Sequence, residues 1–305
     1  MEILTLNKIV LDALSFFTTH TISPFDVNAY NLPFVVGSGN ALSTGKIIFS
    51  EKAAIFADES NFRLIVESYK EAIAKGLVKQ SVVISASGEK DSVWEVELSK
   101  QQGLTTTLFT CKPDSSAAKI ADTVIPFRSI AEPYTYNTST YLGMILASTH
   151  EDPKRIFDYL HQLEIPPAFT NYEAYAFVLD DRFIHIAPMI EVKRDELFGP
   201  HLMMRAFTFG HARHAKFVHP WDKELVISLG KENKFFGDAE HRWNIDLPPN
   251  ASFGAVMAVS YYLCGLIQEA KHPYFKENIT AFCSDYGPKA YGKQQKFEVI
   301  VPGTE

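Results

Sequence analysis

Short apolar runs alternate with helical patterns through the first half of the chain. Five runs are rich in β-branched residues and predict strands, at 33–39, 53–58, 82–85, 105–111 and 123–127. The segments between and after them predict helices, at 60–74, 89–100, 115–121 and 137–147. Strands that are almost wholly apolar are typical of a parallel sheet covered on both faces. With right-handed crossovers, this pattern predicts a doubly wound layer.

A second series of the same kind follows a Pro-Pro break, which marks a linker within 151–170. It predicts, in order, a strand, a helix, an extended run, a helical turn, two strands and a long helix, at 175–180, 182–197, 205–209, 212–218, 224–230, 243–248 and 253–269. We therefore expect an α/β protein with two tandem doubly wound parallel-sheet domains. The predicted ranges are a helical segment at 1–31, a first domain at 32–150 and a second at 151–305.

Composition narrows the class of partner. The chain has 305 residues and a net charge of −7 with no basic block, so we expect no nucleic-acid partner and no anionic membrane surface. The N-terminus predicts an amphipathic helix rather than a signal peptide, and 253–267 is too short and too rich in tyrosine for a membrane span. The odd number of widely spaced cysteines gives neither a disulfide framework nor a zinc site, so a cytoplasmic setting is expected; they are Cys111, Cys264 and Cys283.

The stretch 84–90 places small polar residues between a strand and a helix. Ser85, Ser87 and Gly88 lie where the strand ends, and ligands of doubly wound sheets bind outside the carboxyl ends of strands. Backbone amides and the helix dipole favour an anion there, with Lys90 adding a positive charge, so phosphate is the expected guest. The alternative is that Ser87 only caps the helix.

A second glycine turn, at the end of an earlier strand, faces the same crevice in this prediction. It consists of Gly37, Ser38, Gly39 and Asn40 and lacks the full dinucleotide-binding fingerprint. We expect it to contribute to the same phosphate site.

A charged set lies in the second half of the chain. Lys193 and Glu196 are three residues apart on a predicted helix and therefore project from one face, as a solvated ion pair would also do. His214 lies among other basic residues, which fits a basic surface helix. His211 and His214 could share a face for a metal, but no acidic partner is spaced with them, so no metal is predicted.

The ordered motifs resemble those of the sugar isomerase (SIS) domain family over roughly 32–290. GSGNA at 37–41 and ISASGEK at 84–90 resemble its GxGTS and I-S-x-S-G-E-T motifs. AEPYTYNTSTYLG at 131–143 resembles its acidic residue and Ser/Thr-rich helix start. The later APMIEVKRDE and GHARHAK, at 187–196 and 210–216, resemble its A-L-E-G-A-L-K-L-K-E helix and G-E-x-x-H-G-P turn.

The resemblance implies a phosphosugar isomerase, or a related deaminase or deglycase, that needs neither cofactor nor metal. It implies that Glu196 transfers the proton, that Lys193 contacts or condenses with the sugar, and that His214 helps to open the ring. Glu132 is a candidate second carboxylate. It further implies a homodimer with the site at the subunit interface and a phosphorylated sugar or amino sugar as ligand. A phosphosugar-binding sensor without turnover is the alternative.

Several positions depart from the family pattern. Asn40 and Ala41 replace the Thr-Ser pair, Lys90 replaces a threonine, and Met189 replaces the first glutamate of the helix. The stretch 231–250 is shorter than its family counterpart, so the second domain is expected to be trimmed. About thirty residues precede the first motif, so we expect no glutamine-hydrolysing domain. The departures favour a related substrate, such as an aminated or glycated phosphosugar.

Overall fold

The structure is a computed structural model that describes residues 2–292 and 295–304. The chain forms two compact units. A five-stranded unit comprises Thr19–Ala131, Asn137–His150 and Pro302–Glu305, and a four-stranded unit comprises Met1–Thr18, Glu132–Tyr136 and Glu151–Val301. The N-terminal helix α1 (Leu6–Thr19) thus groups mainly with the four-stranded unit, although the sequence placed it in a separate segment.

The five-stranded unit has one parallel sheet, as the apolar runs predict. Its strands lie in the order β2-β1-β3-β4-β5 and are β1 (Phe34–Val36), β2 (Ile55–Ala57), β3 (Gln80–Ile84), β4 (Thr105–Thr110) and β5 (Thr123–Pro126). Its helices are α2 (Asn40–Ile48), α3 (Phe62–Ser68), α4 (Lys70–Ala74), α5 (Asp91–Gln101) and α6 (Thr138–Thr149). The chain runs outward from β1 to β2 and then returns to β3 on the other side of β1, so the strand order reverses between β1 and β3.

The core of this unit forms because alternate apolar side chains of the sheet meet apolar side chains of the helices. On one face, Phe34, Val83 and Leu108 pack in a cluster that includes Phe62 of α3 and Val96 of α5. This burial of apolar surface, at about 25 cal/mol per Å², is the main stabilising contribution to the layer.

The four-stranded unit repeats the architecture with one strand fewer, which agrees with the expected trimming. Its parallel strands lie in the order β10-β9-β7-β8 and are β7 (Ala174–Leu179), β8 (Met203–Thr208), β9 (Glu224–Leu229) and β10 (Arg242–Ile245). Its helices after α1 are α7 (Pro153–Gln162), α8 (Ala187–Phe198), α9 (Phe209–Ala212), α10 (Phe253–Ala270), α11 (Tyr274–Ala281) and α12 (Gly287–Ala290). The short strands β6 (Glu132–Pro133) and β11 (Ile300–Val301) pair antiparallel in the same unit.

Helix α10 is the core helix predicted from its apolar sequence. Among the helices that the structure describes, α10 is the one that is long and apolar enough to cross a membrane, judged by length and composition. However, 72% of its apolar window is buried inside the fold. Its N-terminus is closed by Glu151, whose carboxylate accepts hydrogen bonds from the amides of Ser252, Gly254 and Ala255. Such a carboxylate satisfies amides that the helix leaves unpaired and also interacts favourably with its dipole.

Four sequence-based helix predictions need correction. The helix predicted at 60–74 is interrupted at Tyr69, between α3 and α4, and the segment 115–121 forms turns rather than a helix. The predicted helix at 182–197 begins as a 3-10 helix (Asp181–Ile186) and continues as α8. Helix α9 (Phe209–Ala212) lies almost wholly before the helical turn predicted at 212–218 and shares only Ala212 with it, and turns follow. In 115–121 the reason is tertiary, because the amide of Ala117 donates to the carbonyl of Gly88.

A close approach between α1 and α10 gives a stability prediction. A Cβ atom at Gly265 would overlap the backbone nitrogen and Cα of Asn7. Because backbone cannot move aside as a flexible side chain can, Gly265→Ala is expected to lower the free energy of unfolding by about 2 kcal/mol or more. Chemical denaturation measures the change. A denaturation midpoint equal to that of the parent protein would contradict this packing.

Candidate functional site

Two loops end neighbouring strands where the strand order reverses. The loop 37–39 follows β1 and leads into α2, and the loop 85–90 follows β3 and leads into α5. In open α/β sheets, ligands bind in the crevice outside the carboxyl ends of the strands at such a reversal. The structure therefore brings both predicted phosphate loops to the place in the five-stranded unit where a ligand crevice is expected.

The two loops enter their helices with the same unusual backbone. Gly39 has φ 55° and ψ −117°, and Lys90 has φ 60° and ψ −124°. Each is the N-cap residue of its helix, and no side-chain hydrogen bond caps either helix. The Ser87 hydroxyl accepts a hydrogen bond from the amide of Glu89 at 3.3 Å, outside α5, so the interpretation of Ser87 as the helix cap is wrong. Glycine adopts this conformation readily, whereas in a lysine it costs about 1–3 kcal/mol.

Packing requires two glycines of these loops. A Cβ atom at Gly88 would overlap the Ser115 hydroxyl, and one at Gly37 would lie 2.9 Å from the Ala41 Cβ and 3.0 Å from the carbonyl of Ile84. The first loop therefore packs against the last residue of β3. The second packs against the loop after β4.

Side-chain hydrogen bonds also fix the second loop. The Ser85 hydroxyl accepts a hydrogen bond from the amide of Gly88 at 3.1 Å, and the Glu89 carboxylate accepts from both the amide and the hydroxyl of Ser116. Ser87 and Gly39 are exposed, whereas Asn40 is buried. The backbone of the loop is thus preorganised, and its polar groups differ in their access to solvent.

The charged set of the four-stranded unit is built around a buried lysine on α8. The side chain of Lys193 has no exposed surface, and its Nζ donates to Glu196 Oε2 at 2.6 Å. The same ammonium donates to the carbonyl oxygens of Thr135 at 3.0 Å and Tyr136 at 2.9 Å. The three N–H donors of the ammonium thus match three acceptors, so this pair is not a solvated surface ion pair.

Glu196 remains in reach of solvent, with 21% of its side chain exposed. Burial raises the pKa of its carboxyl, while the Lys193 ammonium and the Thr135 hydroxyl lower this pKa and Asp195 raises it; the net direction is upward. A carboxylate with a raised pKa, held in place by the Lys193 ammonium, is suited to accept a proton.

Glu132 lies in strand β6, three residues before Thr135, whose carbonyl holds Lys193. It is buried, and its charge and that of Glu196 both contribute, after burial, to raising the pKa of Tyr136. The Tyr136 ring is fully buried, and its hydroxyl accepts from the Gln268 side chain at 2.9 Å. The segment 132–136 therefore contributes the two carbonyls that hold Lys193, and the role of Glu132 as a second carboxylate stays a prediction.

Three neighbouring residues, Tyr134, Thr135 and Tyr136, were not predicted as site residues from the sequence. Tyr134 stacks on Phe297 with ring centroids 5.0 Å apart, and its pKa is raised chiefly by burial, with a smaller contribution from the charge of Glu196. Their only signal in the sequence was their position directly after Glu132. No pattern of residue types predicts that backbone carbonyls will hold a lysine.

His214 is an exposed residue in the turn after α9. Among the residues that the structure describes, its ring forms no hydrogen bond or ion pair, and its proposed role in ring opening stays a prediction. Within the same described part of the chain, no group of His, Cys, Asp or Glu side chains is arranged to hold a metal ion.

Similarity to known proteins is found at the level of structure and not of sequence. No family model matches the chain, and no curated protein matches its sequence. Among solved structures, the chain is similar to a glucosamine-6-phosphate deaminase from Thermotoga maritima, with 13% identity, a TM-score of 0.59 and coverage of 86% of this chain and 93% of that one. The C-terminal domain of glucosamine-fructose-6-phosphate aminotransferase from Francisella tularensis matches with 12% identity, a TM-score of 0.57 and coverage of 88% and 96%.

Tagatose-6-phosphate ketose/aldose isomerase from Escherichia coli is also similar, with 14% identity, a TM-score of 0.57 and coverage of 87% of this chain and 88% of that one. The chain has the SIS fold. The resemblance that the sequence motifs carried is confirmed at the level of fold, because each of these structures covers both series of strands and helices.

A buried acid on α5 gives a pH-dependent prediction for the five-stranded unit. Glu95 is 1% exposed, and its Oε1 has no hydrogen-bond partner in the described structure. Burial, followed by the charges of Asp91, Glu59 and Asp58, raises its pKa from 4.5 to about 8. Because the folded state holds this proton and the unfolded chain releases it near pH 4.5, stability falls as pH rises from about 4.5 to 8.

Glu95→Gln removes this penalty and preserves the shape of the side chain. The variant is expected to be more stable than the parent protein, by a margin that grows between pH 5 and pH 8 and is then constant. Chemical denaturation at pH 5, 6.5, 8 and 9 measures it, with the exposed Glu97→Gln on the same helix as control. A pH dependence that is the same for the parent protein and Glu95→Gln would contradict the prediction.

Proposed function

We propose that the protein acts on a phosphorylated sugar or amino sugar, as an aldose–ketose isomerase or as the mechanistically adjacent deaminase or deglycase. The observation that carries this proposal is the Lys193–Glu196 pair, in which a carboxylate of raised pKa is held by a buried ammonium and remains 21% exposed. The SIS fold supports the substrate class, because the similar structures are named for hexose phosphates and their amino derivatives.

Glu196 is the proposed base. It takes the proton from the carbon next to the carbonyl or imine and returns it to the neighbouring carbon, by way of an enediol or enolamine. Its Oε2 is bonded to Lys193 at 2.6 Å, so one carboxylate oxygen is held while the group keeps partial access to solvent. A fixed position is what this step requires, because proton transfer depends on the base lying within hydrogen-bond reach of the carbon acid.

Lys193 is proposed to keep Glu196 charged and oriented. Its three donors are used by Thr135, Tyr136 and Glu196, and an imine-forming lysine must be deprotonated and reachable by the sugar. The contacts therefore favour an electrostatic role over the covalent one that the family resemblance allows.

The phosphate is proposed to bind at the loops of the five-stranded unit. Residues 37–39 and 85–90 precede two helices, α2 and α5, that have no side-chain hydrogen bond at their N-caps, so the first-turn amides and the helix dipoles favour an anion. Ser38, Ser85 and Ser87 add hydroxyl donors, and Lys90 adds a charge.

Three parts of the proposal rest on the family resemblance alone. They are a homodimer with the site at the subunit interface, the arrival of His214 from the partner, and the absence of a cofactor. A cytoplasmic setting is also proposed, and it is compatible with three buried cysteines that form no disulfide.

A phosphosugar-binding sensor is the second candidate. Lys90 in place of a threonine, and Met189 in place of a glutamate, are the features that favour it, because both alter positions of the family's motifs. The two candidates differ in turnover rather than in ligand class.

Glu196→Gln separates the two candidates. A panel of hexose phosphates, aminohexose phosphates and glycated amine phosphates is screened for thermal stabilisation, and the stabilising ligands are then assayed for conversion. For an enzyme, Glu196→Gln is expected to lower kcat by about 10²–10⁴-fold while the affinity changes little. Glu191→Gln on the same helix is the control. Binding without conversion by the parent protein would instead support the sensor.

Lys90 gives a second prediction because its backbone strain and its ammonium are separable. Lys90→Ala removes the ammonium and keeps the strained backbone, whereas Lys90→Gly removes both. Both variants are expected to bind the stabilising sugar phosphate about 10-fold or more weakly, because a charged hydrogen bond contributes about 1.5–3 kcal/mol.

The stability of these variants is expected to differ. The free energy of unfolding of Lys90→Gly should exceed that of Lys90→Ala by about 1 kcal/mol, because glycine accepts φ 60° without strain. Gly39→Ala is the converse control, since a Cβ atom there meets nothing within 4 Å and the change tests the backbone alone. Equal stability of the two Lys90 variants, or unchanged affinity, would contradict the assignment.

A further inference from the structure

Tyr136 contacts the buried lysine of the candidate site in two ways. Its carbonyl accepts a hydrogen bond from the Lys193 ammonium at 2.9 Å, and the centroid of its ring lies 5.8 Å from the same nitrogen. An aromatic face within about 6 Å attracts an ammonium, and the attraction is stronger where water is excluded. The position of Tyr136 therefore affects the charge that holds Glu196 at 2.6 Å.

Gln268 of α10 fixes the other end of the Tyr136 side chain. Its Nε2 donates to the Tyr136 hydroxyl at 2.9 Å, and this hydroxyl donates to the carbonyl of Leu4 at 3.2 Å. Its Oε1 accepts from the amide of Leu6, the first residue of α1, at 2.9 Å. Gln268 is only 8% exposed and Tyr136 is fully buried, so a lost hydrogen bond in this set would not be replaced by water at low cost.

The same face of α10 also contacts the ammonium directly. Tyr261 lies seven residues before Gln268 in this helix, so both side chains project from one face. The centroid of the Tyr261 ring lies 5.4 Å from the Lys193 nitrogen. One face of α10 thus supplies a ring to Lys193 and an amide that reaches Lys193 through Tyr136.

A purely structural role for Gln268 would be to join α1 to α10. A neighbouring hydrogen bond does this, because the Thr5 hydroxyl donates to the Glu269 carboxylate at 2.9 Å in an exposed position. That bond does not involve Tyr136. Gln268 differs from it because its two hydrogen bonds end on different segments, one on α1 and one on Tyr136.

We propose that Gln268 is a positioning residue for the Lys193–Glu196 pair, which it orients by fixing Tyr136. The catalytic meaning of this inference rests on the proposed function, whereas the positioning itself does not. Without the hydrogen bond from Gln268, the carbonyl and the ring of Tyr136 are less restrained. The ammonium then loses fixed partners, and Glu196 loses the fixed position that proton transfer requires.

Two substitutions test the path from Gln268 to the ammonium. Gln268→Met removes the amide and keeps the length of the side chain, and Tyr136→Phe removes the hydroxyl and keeps the ring and the carbonyl. Thr5→Val is the matched control, because it breaks the neighbouring bond between α1 and α10. The readout is the rate at which the Lys193 ammonium protons exchange with water, measured from its ¹⁵N signal and assigned by the loss of that signal in Lys193→Met.

The parent protein is expected to show slow exchange, because the ammonium is buried and has three acceptors. Gln268→Met and Tyr136→Phe are each expected to accelerate the exchange about 10-fold or more, since a hydrogen bond to a charged group contributes about that factor. The double variant should match the single variants, because both act through the same hydroxyl. Thr5→Val should leave the rate unchanged.

Four results would overturn the inference. They are an unchanged rate in Gln268→Met and Tyr136→Phe, a double variant in which the two effects multiply, an equal acceleration in Thr5→Val, and a parent protein without a slowly exchanging ammonium signal. If Gln268→Met does not fold, Tyr136→Phe carries the same expectation and the same contradiction by itself.

Turnover adds a second readout. If the protein converts a sugar phosphate, both variants are expected to lower kcat about 10-fold per folded molecule, with KM little changed. A residue with only a structural role would lower the folded fraction and leave kcat per folded molecule as it is, and this result would overturn the inference. If the parent protein converts no sugar phosphate, the proposed function fails, while the ammonium exchange still decides the positioning.

Discussion

The buried ammonium of Lys193 is the constraint on which the four-stranded unit's candidate site depends. Removing a charge from water costs several kcal/mol unless each of its donors finds a partner. Here the partners are two consecutive backbone carbonyls and one carboxylate, so the fold must bring residues 135–136 to the inner face of α8. The pairing of β6 with β11 and the burial of Tyr136 serve the same requirement, because they hold the segment that carries those carbonyls.

The candidate sites of the two units differ in the kind of charge that they use. The loops of the five-stranded unit favour an anion with backbone amides and helix dipoles, which are partial charges that need no counter-ion. The four-stranded unit holds full charges in a mostly buried setting, where their interaction is stronger than in water. A dianionic phosphate suits the first arrangement, since it stays partly hydrated. A base that must exchange a proton with carbon suits the second.

Much of the fold could be predicted from the sequence, because local patterns of apolar and polar residues determine most of its strands and helices. Most strands of the two parallel sheets coincide with a largely apolar run, and the three-residue spacing of Lys193 and Glu196 was enough to place them on one helical face. The errors arose where a distant contact determines the backbone. The segment 115–121 has the composition of a helix, yet Gly88 and Glu89 bind its amides and hold it in turns. The left-handed backbone of Thr135 likewise depends on contacts from α8, which no local pattern encodes.

Lys90 is unusual both in its residue type and in its backbone. Its backbone angles lie within 10° of those of Gly39 in the neighbouring loop, so the two loops enter their helices with the same backbone shape. A glycine at position 90 would adopt the same angles without strain, and the sequence instead carries a residue that is strained there. Strain of this kind, at a strand reversal, is typical of a functional side chain. The functional group of Lys90 is an ammonium, which is complementary to an anionic ligand.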